Sequence, residues 1–162
     1  MATLIYHLEM VDRDAFRPKV GPAGFQVDEV SPADPELNRR FYRDVGGPWK
    51  WTDRLVWSDS DWRCYVSRDS LRTWIGRFLC QEVGYFELEA QDNGNVEIAY
   101  FGLLPQSIGQ GLGGPFLSAA VYNAWAMPGT RRVCVHTCTW DHAHALSNYV
   151  SRGFQIFKTV RK

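Results

Sequence analysis

Gln106-Ser107-Ile108-Gly109-Gln110-Gly111-Leu112-Gly113-Gly114 is the stretch on which the reading of this chain turns. It follows a strand-like run, Val96–Leu104, and precedes an apolar helical pattern, Phe116–Met127. A glycine-rich turn between strand and helix leaves a row of backbone N–H groups with no side chains in front of them. At a helix N-terminus such a row accommodates a phosphate or pyrophosphate. Gly109-x-Gly111-x-x-Gly114 matches the dinucleotide fingerprint, which also requires an acidic residue about 20 positions on to hold a ribose. No Asp or Glu occurs between Glu97 and Asp141, so a nicotinamide site is disfavoured. A Walker-type loop requires Gly-Lys-Ser/Thr, which this stretch lacks. A plain glycine-rich connection is the structural alternative.

A second pattern lies downstream. After a strand-like run, Arg131–Thr137, comes His142-x-x-Ala145-x-x-x-Tyr149-x-x-x-Gly153-Phe154. Ala145, Tyr149 and Gly153 step at helical spacing, so they share one helix face and its end. Gly153 suits a left-handed helix stop, and Phe154 begins the last strand.

Read as Gln106-x-x-Gly109-x-Gly111, the first stretch fits the Q/R-x-x-G-x-G/A pyrophosphate loop, and with the second pattern it resembles the GNAT superfamily, the general-control-type N-acetyltransferases. The resemblance is close over Val96–Phe157 and rests on element order alone over Phe25–Ala90. It implies an α/β fold: a single GNAT-like domain with a mixed, mostly antiparallel central sheet flanked by helices. It also implies acetyl-CoA (coenzyme A) as cofactor. Backbone groups of Leu103 and Leu104 would meet the pantetheine arm. Gln106, Gly109, Gln110, Gly111, Leu112, Gly113 and Gly114 form the pyrophosphate loop, and His142 would reach the arm. Tyr149 takes the place of the general acid toward the departing thiolate; a phenol with pKa near 10 can donate to a thiolate of similar basicity. Glu97 stands on the strand where histone-type members carry a glutamate base, and Glu87 is its rival or an amine-binding anion. Two positions depart from the family pattern: Gln110 where Arg is common, and His142 where Asn is common. Metal is not part of the expected chemistry.

The composition is compatible with this. The chain has 162 residues, 45% hydrophobic and 22% charged, enough for one domain with its own core. Lys+Arg and Asp+Glu both total 18, and no basic stripe occurs, which argues against nucleic acid or an anionic membrane as main partner. No apolar run approaches the ~18 residues of a membrane span, and no signal-peptide pattern is visible. A cytoplasmic location is therefore expected. The four cysteines are expected as thiols. Cys134, His136 and Cys138 alternate on one strand, but structural zinc usually shows paired CxxC-type spacing, so packing is the preferred reading.

The remaining pattern predicts strands at Thr3–Met10, Phe25–Val30, Leu71–Leu79 and Glu82–Ala90, and a helix over Glu36–Val45. A second helix is predicted over Trp49–Asp59, and Asn93-Gly94 predicts a hairpin into Val96–Leu104. The domain is read as 1–162, with 25–162 as core and 1–24 as an extension whose strand either extends the sheet or supports a homodimer. Trp49 and Trp51, with Trp140, are read as an aromatic acceptor wall for a small amine. A non-catalytic acyl-CoA-binding module is the alternative function.

Overall fold

A computed structural model of the chain describes residues 2–162. In chain order the elements are β1 (Leu4–Met10), β2 (Phe25–Glu29), α1 (Pro35–Gly46), α2 (Asp59–Val66), β3 (Leu71–Phe78) and β4 (Gln81–Ala90), then β5 (Asn95–Leu103), α3 (Gly113–Ala126), β6 (Arg132–Cys138), α4 (Ala145–Ser151) and β7 (Gln155–Arg161). Turn chemistry sets several of the boundaries. Asn93 and Gly94 both take positive φ, 62° and 76°, as the predicted hairpin requires. Asp34 accepts the Leu37 N–H at 3.3 Å, and Pro35 opens α1 just behind it.

One expected helix lies elsewhere. The expected helix over Trp49–Asp59 does not form: Trp49 ends a short 3-10 turn, Lys50 sits at φ 61°, and an irregular loop runs to Ser58. The helix begins at Asp59, where Ser58 and Asp61 form a reciprocal capping box. The capping signal outweighs the tryptophan spacing.

The seven strands of the described residues form one sheet in the order β2-β3-β4-β5-β6-β1-β7. Every neighbouring pair is antiparallel except β5 and β6. β1 lies inside the sheet, paired along Ile5–Met10 with β6 and along Leu4–Glu9 with β7. Of the two roles read for it, the strand extends the sheet, and with both its edges paired it offers none to a partner strand. α3 and α4 pack on one face through Phe116, Leu117, Ala120, Val121, Ala124 and Tyr149. On the other face α1 and α2 cover β3 to β5 through Phe41, Tyr42, Val45 and Trp62.

The parallel pair is what opens the site. β5 and β6 pair only over Asn95–Glu97 against Arg132–Cys134. Immediately after, β5 carries a bulge: Leu88 faces Ile98 and Glu87 faces Tyr100, leaving Ala99 as the extra residue. A bulge bends its strand and disrupts the ladder. Here it coincides with the point where β5 and β6 separate into a fork.

Candidate active site

A cavity of about 820 Å³ occupies the fork. Its walls are the diverging ends of β5 and β6, the glycine loop with the start of α3, the start of α4, and the loop Trp49–Asp53 after α1. Each contribution follows from local structure.

Backbone alternation decides which strand groups face the opening. The Leu104 N–H donates to Val83 C=O at 2.7 Å, so Leu104 turns its backbone toward β4. In an antiparallel ladder the adjacent residue turns the other way. Leu103, and Phe101 two residues before it, thus present their backbone to the fork, and both line the cavity. Leu104 does not, which corrects its expected role.

The loop behaves as glycine chemistry requires at two positions. Gly109 and Gly111 sit at φ 86° and 75°, and a Cβ at either would meet nothing within 4 Å. They face open space in a backbone conformation that L side chains rarely adopt. Among the described residues, no side chain caps α3. Its first bond outside the regular ladder is Phe116 N–H to Leu112 C=O at 2.9 Å, leaving the first-turn N–H groups of Gly113 and Gly114 without an intrahelical acceptor. Gly109, Gly111, Leu112, Gly113 and Gly114 all line the cavity. Gln106 and Gln110 do not: both are exposed, and the Gln110 Nε2 donates to the Gln106 carbonyl at 3.3 Å. Ile108 faces the cavity instead.

Two cations missing from the sequence reading flank this helix start. A methyl at Gly114 would lie 2.5 Å from Arg152 Nη1 and 2.8 Å from Lys19 Cδ, so both chains cross the first turn of α3. The Lys19 backbone is pinned there by donation to Ser118 Oγ at 2.8 Å. Arg152 Nε is buried without a hydrogen-bond partner among the described residues. These groups fit a phosphate-bearing ligand: uncapped N–H groups, a helix dipole and two cations converge, and one guanidinium nitrogen lacks an acceptor. Arg152 was legible in principle, since Ala145, Asn148 and Arg152 follow one helix face. Lys19 was not, because only the folded loop brings it to α3.

Tyr149 is 6% exposed and lines the cavity, its ring packed against Phe101 and Phe154. Burial, and after it the neighbouring Asp141 carboxylate, pushes its phenol well above the usual tyrosine range. Trp49, Trp51 and Trp140 are brought together in the same wall. Three successive residues of this loop after α1 meet three of the loop between β6 and α4. The Trp49 ring stands 5.3 Å from His142, the Lys50 ammonium sits 3.6 Å over Trp140, and Trp51 Nε1 donates to Asp141 Oδ1 at 3.4 Å. Asp141 also accepts the Cys138 N–H at 3.0 Å and the Thr137 hydroxyl. His142 lines the cavity, and its Nδ1 accepts the His144 N–H at 3.0 Å.

The two predicted glutamates lie outside the lining. Glu87 is fully buried, and its carboxylate accepts from Arg54 Nη1 at 3.1 and 3.2 Å and from Asn38 Nδ2 at 2.9 Å. It is a structural counter-ion, which removes it as the rival base. Glu97 is held by Gln91 Nε2 at 2.6 Å and faces His136. Cys134, His136 and Cys138 share a face as expected, but no cluster of three or more metal-ligating side chains forms among the described residues. No helix of the described residues is long and apolar enough to cross a membrane.

No protein-family model matches the chain, and no curated protein matches it. Solved structures do. A GCN5-related N-acetyltransferase from Kribbella flavida is 18% identical with a TM-score of 0.70, covering 98% of this chain and 58% of that one. Another from Sphaerobacter thermophilus is 14% identical with a TM-score of 0.75, covering 99% of this chain and 51% of that one. A structure of AAC(6')-Iy in complex with the bisubstrate analog CoA-S-monomethyl-acetylneamine is 16% identical with a TM-score of 0.62, covering 84% of this chain and 94% of that one. The chain thus spans a little over half the length of the first two. What is shared at these identities is the fold: the chain has the GNAT fold.

Proposed function

We propose that the protein transfers an acetyl group from acetyl-CoA to the primary amine of a small molecule. The observation that carries this reading is the fork. It places an uncapped helix start with Lys19 and Arg152, a buried cavity-facing phenol and an aromatic wall around one cavity. When bound, the coenzyme supplies an activated acyl carbon on a thioester. The chain supplies the rest. The N–H groups of Gly111 to Gly114 and the two cations hold the phosphates. The backbone of Phe101 and Leu103 aligns the arm. Tyr149 donates a proton to sulfur, and Glu97 assists loss of the amine proton.

Trp49, Trp51 and Trp140 favour an acceptor with an apolar or aromatic body. Asp53 lines the cavity, and its carboxylate takes the role of meeting the ammonium that was expected of Glu87. The bisubstrate analog in AAC(6')-Iy, built from CoA and an acetylneamine, is consistent with a small amine.

The direct test is thermal shift with acetyl-CoA and, separately, NADPH, because a ligand bound only by the native state raises the melting temperature. A rise with acetyl-CoA alone, followed by thiol release in a screen of small amines, is the expected result. Equal or no response to acetyl-CoA would reduce the glycine loop to a structural turn.

Lys19→Ala and Arg152→Ala are each expected to weaken acetyl-CoA binding by roughly 5- to 30-fold, in line with about 1–2 kcal/mol per charge-assisted contact. The loss should shrink with added salt and vanish for acetyl-pantetheine, which carries no phosphates. Calorimetric titration of both ligands at low and high salt checks this.

A further inference from the structure

We propose that His136 takes the amine proton, and that Glu97 stands behind it as a positioning carboxylate rather than as the base. This rests on the acyltransferase reading and goes beyond it by naming the proton acceptor.

The argument starts from the fork. Pairing of β5 with β6 ends at Glu97 and Cys134. Two residues further along β6, His136 is the next side chain on the same face of the sheet, the face opposite α3 and α4. It lines the cavity and is 53% exposed, whereas Glu97 does not reach the lining. The two carboxylate oxygens of Glu97 have different tasks. Oε2 is held by Gln91 Nε2 at 2.6 Å, while Oε1 lies 3.7 Å from His136 Nδ1. A carboxylate beside Nδ1 favours the tautomer with its proton on that nitrogen, which leaves the Nε2 lone pair free as an acceptor. The pattern of a base oriented by a third group is that of paired acid–base catalysts in general.

Few other groups contest this assignment. From β1, the His7 ring stands 5.7 Å from His136, with Lys158 of β7 facing His7 across the strand pair. Burial, then His136 and Lys158, lowers the pKa of His7, so it stays neutral near pH 7. On β6 itself, Cys134 is held as a thiol by burial and then by Glu97, and Cys138 and Asp53 share the cavity wall. Among the described residues, Glu97 is the one carboxylate paired with the imidazole.

Acid and base then lie on opposite faces of the sheet, with Tyr149 on the α4 side and His136 on the other. The acceptor arrives as an ammonium and gives one proton to His136 Nε2, which releases it to solvent. The freed nitrogen lone pair forms the N–C bond, and the second proton leaves through the same imidazole. As the C–S bond breaks, the sulfur takes the Tyr149 proton, and the proton on His136 restores the phenol through solvent. The sum is ammonium plus thioester giving amide, thiol and one proton.

The test uses the whole chain with 15N-labelled histidine. Long-range 1H–15N spectra should show His136 protonated at Nδ1, and Glu97→Gln should move population to the other tautomer. Acetyl-CoA should bind His136→Gln within about twofold of wild type. With phenethylamine as probe acceptor, His136→Gln should lose about 100-fold in kcat/KM together with the acid limb of its pH profile. Glu97→Gln should lose about tenfold and keep a displaced limb. A wild-type His136 protonated at Nε2, or a His136→Gln variant with unchanged rate and limb, overturns the proposal. Acetyl-CoA binding alongside either result leaves the acyltransferase reading standing; failure of acetyl-CoA to bind the wild type sinks both.

Discussion

Tyr149→Phe is expected to lower kcat by about 100- to 1000-fold while acetyl-CoA binds within about twofold of wild type. The substitution removes one oxygen and little else. The ring is 6% exposed and keeps its edge contacts with Phe101 and Phe154 at 6.4 and 5.9 Å between centroids, so packing and cavity shape persist. What is lost is a proton held tightly until a strong base appears. Burial and the Asp141 carboxylate raise the phenol above the ordinary range, so the group stays protonated through neutral and mildly alkaline pH. A departing thiolate is such a base. It follows that wild-type kcat should show no fall between pH 8 and 10 attributable to this group, because a raised pKa postpones the loss of the acidic form. Steady-state thiol release beside calorimetric affinity separates the two function classes. A binding module would show the retained affinity and no turnover to lose; a Phe variant as active as wild type would remove Tyr149 from the chemistry.

The local structure of the second half of the chain is legible in the sequence because its signals are local. The glycine loop, the Ala145–Tyr149–Gly153 helix face and the Asn93-Gly94 hairpin each depend on residues within a few positions, and the structure forms each where it was read. Gly153, at φ 111°, is the helix stop its position implied. Readings that depend on distant partners fared differently. Glu87 sits in an apolar strand and looked like a perturbed acid, but its partners Arg54 and Asn38 lie 33 and 49 residues away. Glu97 looked like a base, and the imidazole facing it sits on a strand that pairs with β5 over three residues only. Trp49–Asp59 looked helical by its large apolar residues, yet those rings pack as loop anchors: Trp51 against Tyr42 and Tyr100, Trp57 against Trp62 and Tyr65.

The N-terminal segment is the clearest case of topology escaping sequence. Alternation in Thr3–Met10 identifies a strand but not its neighbours. Only the fold shows that the segment read as an extension supplies an interior strand, Leu4–Met10, and places Thr3, Ile5 and Lys19 in the cavity wall. A chain truncated at Phe25 would therefore lose a core strand and, with Lys19, one of the two cations at the start of α3.

Glu87→Ala is expected to cost about 3–5 kcal/mol, the usual loss when one member of a buried ion pair is removed. For a chain of this length that corresponds to a fall in Tm of roughly 6–20 °C. The reason is the site of the pair. Glu87 is 0% exposed and Arg54 6%, and the guanidinium is enclosed by Tyr65 and Tyr100 at 4.1 and 4.2 Å, with Trp57 and Trp62 further out. Burial opposes the Arg54 charge, but Glu87 and then the surrounding tyrosines more than compensate, so the arginine stays charged. Without Glu87 that charge is left in an aromatic box, and the Asn38 amide keeps only Thr73 as acceptor, at 2.9 Å. Replacing both members by apolar residues, as Arg54→Met with Glu87→Leu, should recover most of the loss, because the desolvation cost of both ions disappears together. Activity should not recover with stability. Arg54 directly follows Trp49–Asp53 in the chain, its N–H donates to the Tyr42 hydroxyl at 3.0 Å, and its side chain fastens that loop to the sheet. The double variant should melt near wild type yet show a raised KM for the amine with an unchanged acetyl-CoA affinity. A single variant that loses less than about 1 kcal/mol would mean water reaches the pair, and the loop would then need another anchor.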